Sequence, residues 1–252
     1  MKFAIVGSER REAEPGLSGE CPACGKAMTA KCGQHRVHHW AHHGKRVCDL
    51  WFERETQWHR DWKSHFPKGW QEFVQHSESG ERHIADVRTD LGVVLEFQHS
   101  FLRKDEHEAR EKFYPKMVWV VDGLRRRRDA AQFFTAVRAG TFVCREPLIV
   151  FVRWREGALL RDWGEGRVPV YFDFGTPVLW RLSSSRPHGI TYLASVSKAV
   201  FLQAHLQGVP FEEMCTKLVE RAMVRHLIQQ APQPLSGFER YMARRPRARP
   251  RF

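Results

Sequence analysis

Apolar side chains recur along this chain first at helical spacing and then in alternation, and the changes of period mark its elements. Trp51, Trp58, Trp62 and Phe66 share one helical stripe and Pro67-Lys68-Gly69 supplies a stop, which predicts an amphipathic helix over Leu50 to Phe66. Three strand-like runs follow: Trp70 to His76, Arg82 to Arg88, and Val93 to His99. The last two are joined by the turn material Asp90-Leu91-Gly92. A polar helix over Arg103 to Tyr114, ended by Pro115, leads to the continuous apolar strand Met117 to Val121. Upstream lie a short strand from Lys2 to Val6, a loop reaching Glu20, and a Cys/His-dense stretch from Cys21 to Cys48. Downstream, Leu148 to Trp154, Ala158 to Trp163, Val168 to Phe174 and Val178 to Leu182 read as short strands. Tyr192 to Leu206 and Phe211 to Gln229 read as helices. The chain thus divides into an N-terminal segment 1–48, a core 49–147, an α+β region 148–232 and a Pro/Arg tail 233–252 expected to be disordered.

Composition narrows what such a chain can do. Of 252 residues, 41 are Lys or Arg against 29 Asp or Glu, for a formal charge of +12, so a polyanion partner is expected, nucleic acid first. Six arginines after Glu239 carry half of that excess, which makes the tail a detachable electrostatic tether. The 17 Phe and 9 Trp supply enough apolar area for a substantial core. No run approaches the roughly 18 apolar residues of a membrane span, and Phe3 to Val6 is too short for a signal peptide, so a cytoplasmic location is expected.

The six cysteines are too sparse for a disulfide scaffold, and four of them cluster near the N-terminus. Cys21-Pro22-Ala23-Cys24-Gly25 is a knuckle whose two thiolates can share one tetrahedral ion. His39 and His42 complete a set for structural Zn²⁺. Cys32, His35, His38, His43 and Cys48 compete for the same role, and a four-cysteine site using Cys32 and Cys48 is the other arrangement. Either way the metal folds a segment too small to hold itself together.

A second group of residues carries candidate catalytic chemistry. A three-residue hairpin loop, with Gly92 at the position needing positive φ, pairs Thr89 with Val93 and sets Asp86 across from Glu96. Gln98 shares the face of Glu96, because strand side chains alternate. Two carboxylates facing each other amid Val, Leu and Phe repel unless a cation lies between them, and oxygen ligands of this kind suit Mg²⁺ or Mn²⁺. An exposed hairpin edge with solvated carboxylates is the alternative. Glu55 falls within the aromatic stripe of the first helix, turned toward the core, where it needs a cation, a donor or a metal-bound water. Arg103, His107, Arg110 and Tyr114 share one helical face that can track a phosphate backbone. Arg125, Arg126, Arg127 and Arg128 form a second phosphate-binding candidate.

The order helix, three strands, helix, strand resembles the PD-(D/E)XK nuclease core, and more closely the competence protein CoiA-like family. The likeness rests on Cys21-Pro-Ala-Cys24 followed by His38-His39-Trp40-Ala41-His42, on Glu55-Thr56 with His59, Trp62 and Lys63, and on Ala85-Asp86-Val87. It also rests on Glu96-Phe97-Gln98 with Ser100, and on Arg110 with Tyr114 leading to Val118-Trp119-Val120. The resemblance implies an α/β, restriction-endonuclease-like mixed sheet flanked by helices, beside a small zinc-binding module. It implies a metal-dependent nuclease acting on DNA in uptake, recombination or defence against foreign DNA. By the same resemblance Asp86 and Glu96 hold Mg²⁺ or Mn²⁺, Glu55 completes or orients the site, and Gln98 stands where the fold's lysine usually sits. A neutral amide cannot supply that charge, which leaves Lys63, Lys112 or Arg110 as its source, with Lys63 counted among the residues that meet the nucleic acid. Two further readings fit these residues: a catalytically inactive, zinc-stabilised DNA-binding or recruitment module, and an RNA-processing nuclease.

Overall fold

The computed structural model describes residues 1–44, 49, 51, 55–77, 80–153, 157–183 and 190–230. The tail and Cys48 lie outside these residues.

The N-terminal segment is more regular than its composition indicates. Strands β1 (Phe3–Val6), β2 (Glu9–Glu12), β3 (Ser18–Glu20), β4 (Ala27–Lys31) and β5 (His39–His42) form an antiparallel sheet in the order β2-β1-β3-β4-β5. Its core is small: Ala4, Met28 and Trp40 pack with Cys21 and Ala23, and with Val74 and Ile84 of the larger body. Four short strands with few large side chains carry little hydrophobic signal, so only the first was legible.

The larger body follows as α1 (Gln57–Ser64), β6 (Gln71–His76), β7 (Arg82–Arg88), β8 (Val94–Gln98), α2 (Lys104–Phe113), β9 (Met117–Asp122), α3 (Asp129–Ala139) and β10 (Thr141–Arg145). It continues through β11 (Leu148–Arg153), α4 (Ala158–Trp163), β12 (Val170–Asp173), β13 (Val178–Leu182), β14 (Ile190–Ser197), α5 (Lys198–Leu206) and α6 (Phe211–Gln230). Nine strands form one mixed sheet in the order β10-β11-β14-β13-β12-β9-β8-β7-β6. The division expected at residue 147 falls between β10 and β11, which pair antiparallel within this sheet. At its centre β9 runs parallel to both β8 and β12. That position explains its unbroken apolar run. Met117, Trp119 and Val121 join Phe133, Trp163 and Phe172 on one face, while Val118 and Val120 join Trp62, Phe97, Tyr171 and Phe201 on the other.

Two segments differ in type from expectation. Ala158 to Trp163 is helical, not extended, and buries Leu159, Leu160 and Trp163 on one side. Six apolar-rich residues do not distinguish the two periods. Tyr192 to Leu206 begins as strand β14 and becomes α5 only after Ser197, whose hydroxyl caps the helix by accepting from the Val200 N–H. No described helix is long and apolar enough to cross a membrane.

Candidate functional site

The β7–β8 hairpin has the expected register. Thr89 N–H donates to Val93 O at 2.9 Å, Gly92 takes φ 73°, and Val87 and Arg88 pair with Leu95 and Val94. Beyond Leu95 the backbone ladder gives way to side chains. The Asp86 N–H donates to Glu96 Oε1 at 3.3 Å, and the Phe97 N–H donates to Asp86 Oδ2 at 3.0 Å. Each carboxylate therefore takes the place of a carbonyl of the opposite strand, which brings both acids to one point between the strands. Glu72, between the β6–β7 pairs Gln71–Val87 and Phe73–Ala85, continues the row onto a third strand.

Two cations reach this row from different helices. Lys63 of α1 is buried, with Nζ 3.2 Å from Glu72 Oε1, 3.8 Å from Asp86 Oδ1 and in contact with Glu55. Burial opposes its charge, yet Glu72, Glu55 and Asp86 together hold it above the ordinary lysine value. Arg110 of α2 places Nη1 3.2 Å from Glu96 Oε2. Glu96 is still pushed up to about 8, first by burial and then by the charge of Asp86. Asp86 is also raised by burial, against the pull of Lys63 and His59. Glu72 is driven down despite its burial, by Lys63 and by backbone N–H groups of Lys2 and Phe3 at 2.6 and 3.0 Å. Together with Asp49, Glu55, His59 and Tyr114 these groups line a cavity of about 60 Å³.

Glu55 reaches the cavity, but not from a helix. Helix α1 starts at Gln57, because Thr56 and His59 form a capping box there. Glu55 precedes the cap and is held by Lys63 and by Arg60 Nη2 at 2.8 Å. Trp51 lies outside the helix and stacks on His83, with ring centroids 3.2 Å apart. Leu50 lies outside the described residues.

Gln98 is buried beside the cavity and lines an adjoining groove. Its Nε2 donates to Ser100 O at 3.3 Å, and its Oε1 has no hydrogen-bond partner among the described residues.

Most of the expected phosphate contacts are used inside the protein. His107, Arg110 and Tyr114 are the buried face of α2, and only Arg103 of that set is exposed, 3.2 Å from Asp105. A polar helical face reads as solvated until the sheet beneath it proves to carry Glu96. Lys63 is likewise buried. Arg125 and Arg126 each place Nη2 2.8 Å from Asp162 Oδ2 and also engage Asp129; Arg126, Arg127 and Arg128 are exposed.

Among the described residues, one group of three Cys, His, Asp or Glu side chains has its ligand atoms all within 4.8 Å: Cys21, Cys24 and His42. The knuckle is closed by the Gly25 N–H donating to Cys21 O at 2.8 Å, with Gly25 at φ 69°. Cys24 Sγ lies 3.4 Å from His42 Nε2. Two thiols and an imidazole make three of the four ligands of a structural zinc site and so fit that ion. His39 is not in the group. An odd separation along β5 puts it on the opposite face from His42, and its Nδ1 turns to Val37 O at 2.9 Å. His43 meets Thr29 instead.

Comparison with protein-family models, curated proteins and solved structures finds no match.

Proposed function

We propose that this chain is a metal-dependent nuclease of the PD-(D/E)XK kind, hydrolysing phosphodiester bonds in DNA. The observation that carries the reading is the placement of Lys63 Nζ 3.8 Å from Asp86 Oδ1, with Asp86 opposite Glu96. Two acids and a lysine are the groups this chemistry needs, and here the lysine comes from α1 while position 98 is neutral.

The donor set suits Mg²⁺ or Mn²⁺, which are commonly held by one or two carboxylates with water completing the shell. Asp86 and Glu96, brought together between β7 and β8, would hold the ion. When bound, the ion polarises a phosphoryl oxygen and lowers the pKa of water. Lys63, held above its ordinary value by Glu72, Glu55 and Asp86, would supply positive charge beside Asp86. Arg110 holds Glu96 in place, and Glu55 and Glu72 hold Lys63. Cys21, Cys24 and His42 would carry structural zinc apart from the chemistry.

The test is cleavage of plasmid and linear DNA with Mg²⁺ or Mn²⁺. Asp86→Asn, Glu96→Gln and Lys63→Met should each lower the rate at least a hundredfold; wild-type activity equal to that of Asp86→Asn overturns the reading.

A non-catalytic DNA-binding module is the second reading. It is favoured by the absence, among the described residues, of three carboxylates within 4.8 Å of one another, and by the engagement of Glu55 and Glu96 with Lys63, Arg60 and Arg110. It expects salt-sensitive DNA binding unchanged in Glu96→Gln, and no cleavage with any metal.

A further inference from the structure

We propose that the groove beside the carboxylate cavity is a binding subsite for single-stranded DNA, in which Phe101 stacks on a base. The proposal rests on the nucleic-acid reading above, but not on cleavage.

The groove encloses about 870 Å³ between the first sheet, the start of α1 and the β8–α2 loop. Glu55 and Arg110 line both spaces, so groove and cavity adjoin. Three kinds of group meet along its walls. The first is aromatic: Phe101 is 71% exposed, on a loop held by the Arg125 guanidinium donating to Ser100 O at 2.8 Å. A phenyl ring exposed to water gains by covering a base face, and such stacking is sequence-tolerant.

The second is a hydrogen-bond acceptor. The Ser100 carbonyl can only accept, which orients the Gln98 amide with Nε2 toward Ser100 and leaves the buried Oε1 without a donor. An N–H of a base edge supplies the missing group.

The third is a set of donors for phosphate. Arg36 and His35 line the groove from the loop between β4 and β5.

Base face, base edge and phosphate are thus addressed within one groove. A duplex keeps its base faces inside its own stack and cannot use Phe101, whereas a single strand exposes all three features. The buried position of Glu96 points the same way, since a flexible strand reaches an enclosed cavity more readily than a paired backbone.

Binding is measured by fluorescence anisotropy on the full chain, without added Mg²⁺ or Mn²⁺, using a labelled single-stranded oligonucleotide and its duplex. The single strand should bind at least tenfold more tightly. Phe101→Ala should lose about tenfold of that affinity, Phe101→Trp should retain it, and Gln98→Ala should flatten the differences among homopolymers. Equal or tighter duplex binding overturns the proposal, as does a Phe101→Ala variant that binds single strands like wild type. Selective single-strand binding without cleavage retains the subsite and removes only the nuclease reading. Cleavage confined to duplex does the reverse.

Discussion

The indole N–H of Trp62 donates to the Asp173 carboxylate at 2.8 Å, and this bond ties the helix that carries Lys63 to the end of β12. Trp58 adds a second indole to the same oxygen at 3.3 Å. The second half of the chain therefore acts as a buttress for the site. Asp173→Ala leaves two indoles without their acceptor and should cost about 2–3 kcal/mol, read from urea denaturation followed by tryptophan fluorescence. Trp62→Phe should cost less, and the double variant should lose less than the two single losses combined. Additive losses would mean that the bond contributes nothing.

Lys63 is the hub of a buried network, so its removal has two separable effects. Lys63→Met keeps the shape but leaves Glu55, Glu72 and Asp86 without their shared cation, and stability should fall by about 3–5 kcal/mol. Lys63→Arg should recover part of the stability. A Met variant as stable as wild type in urea would show that the three acids do not depend on this charge.

The pH dependence of stability follows from Glu96. In the folded chain it keeps its proton up to about pH 8, whereas an unfolded glutamate releases it near its ordinary 4.5. Between those values the folded state binds more protons, so stability falls as pH rises through that window and then levels off. Glu72, displaced downward, acts on the other side: its contribution is present above its ordinary value and is lost as pH falls below it. Thermal denaturation from pH 5 to pH 9 should therefore show a decline that Glu96→Gln reduces. Millimolar Mg²⁺ at the upper end should raise the wild-type midpoint and leave the variant unchanged. Equal slopes in the two proteins would contradict this account.

Metal analysis of the purified chain tests the N-terminal site. Zinc should be retained by His39→Ala and lost by Cys24→Ser or His42→Ala, with a fall in melting temperature in the latter two. Loss of zinc from His39→Ala would show that strand parity does not decide the ligand set.

Part of this arrangement was legible in the sequence. Asp86 and Glu96 were, because a hairpin register is a short-range property, fixed by Gly92 and by alternation. The strand Met117 to Val121 was, because burial on both faces leaves an unbroken apolar run. Glu72 was missed. Its φ of 47° is a conformation that a non-glycine residue adopts at a cost, held here by amides of Lys2 and Phe3 that lie far away in sequence. Arg110 was read both as a source of charge at the site and, with Tyr114, as part of a phosphate-tracking face; both side chains are buried, because helical periodicity reports that a face exists, but not what covers it. His39 entered the expected set because ligand spacing was counted along the chain, whereas β5 alternates and turns it to the face opposite His42.

The parallel pairing of β9 with β12 also bears on the order in which the protein is made. Trp119 must wait for Val170 before the centre of the sheet is complete, with α3, β10, β11 and α4 synthesised in between. During elongation on a ribosome the β6–β9 strands can pair among themselves, but β9 keeps one edge open and α1 lacks its Asp173 anchor. The acids and the lysine thus acquire their final geometry only after β12 has been made, more than halfway along the chain.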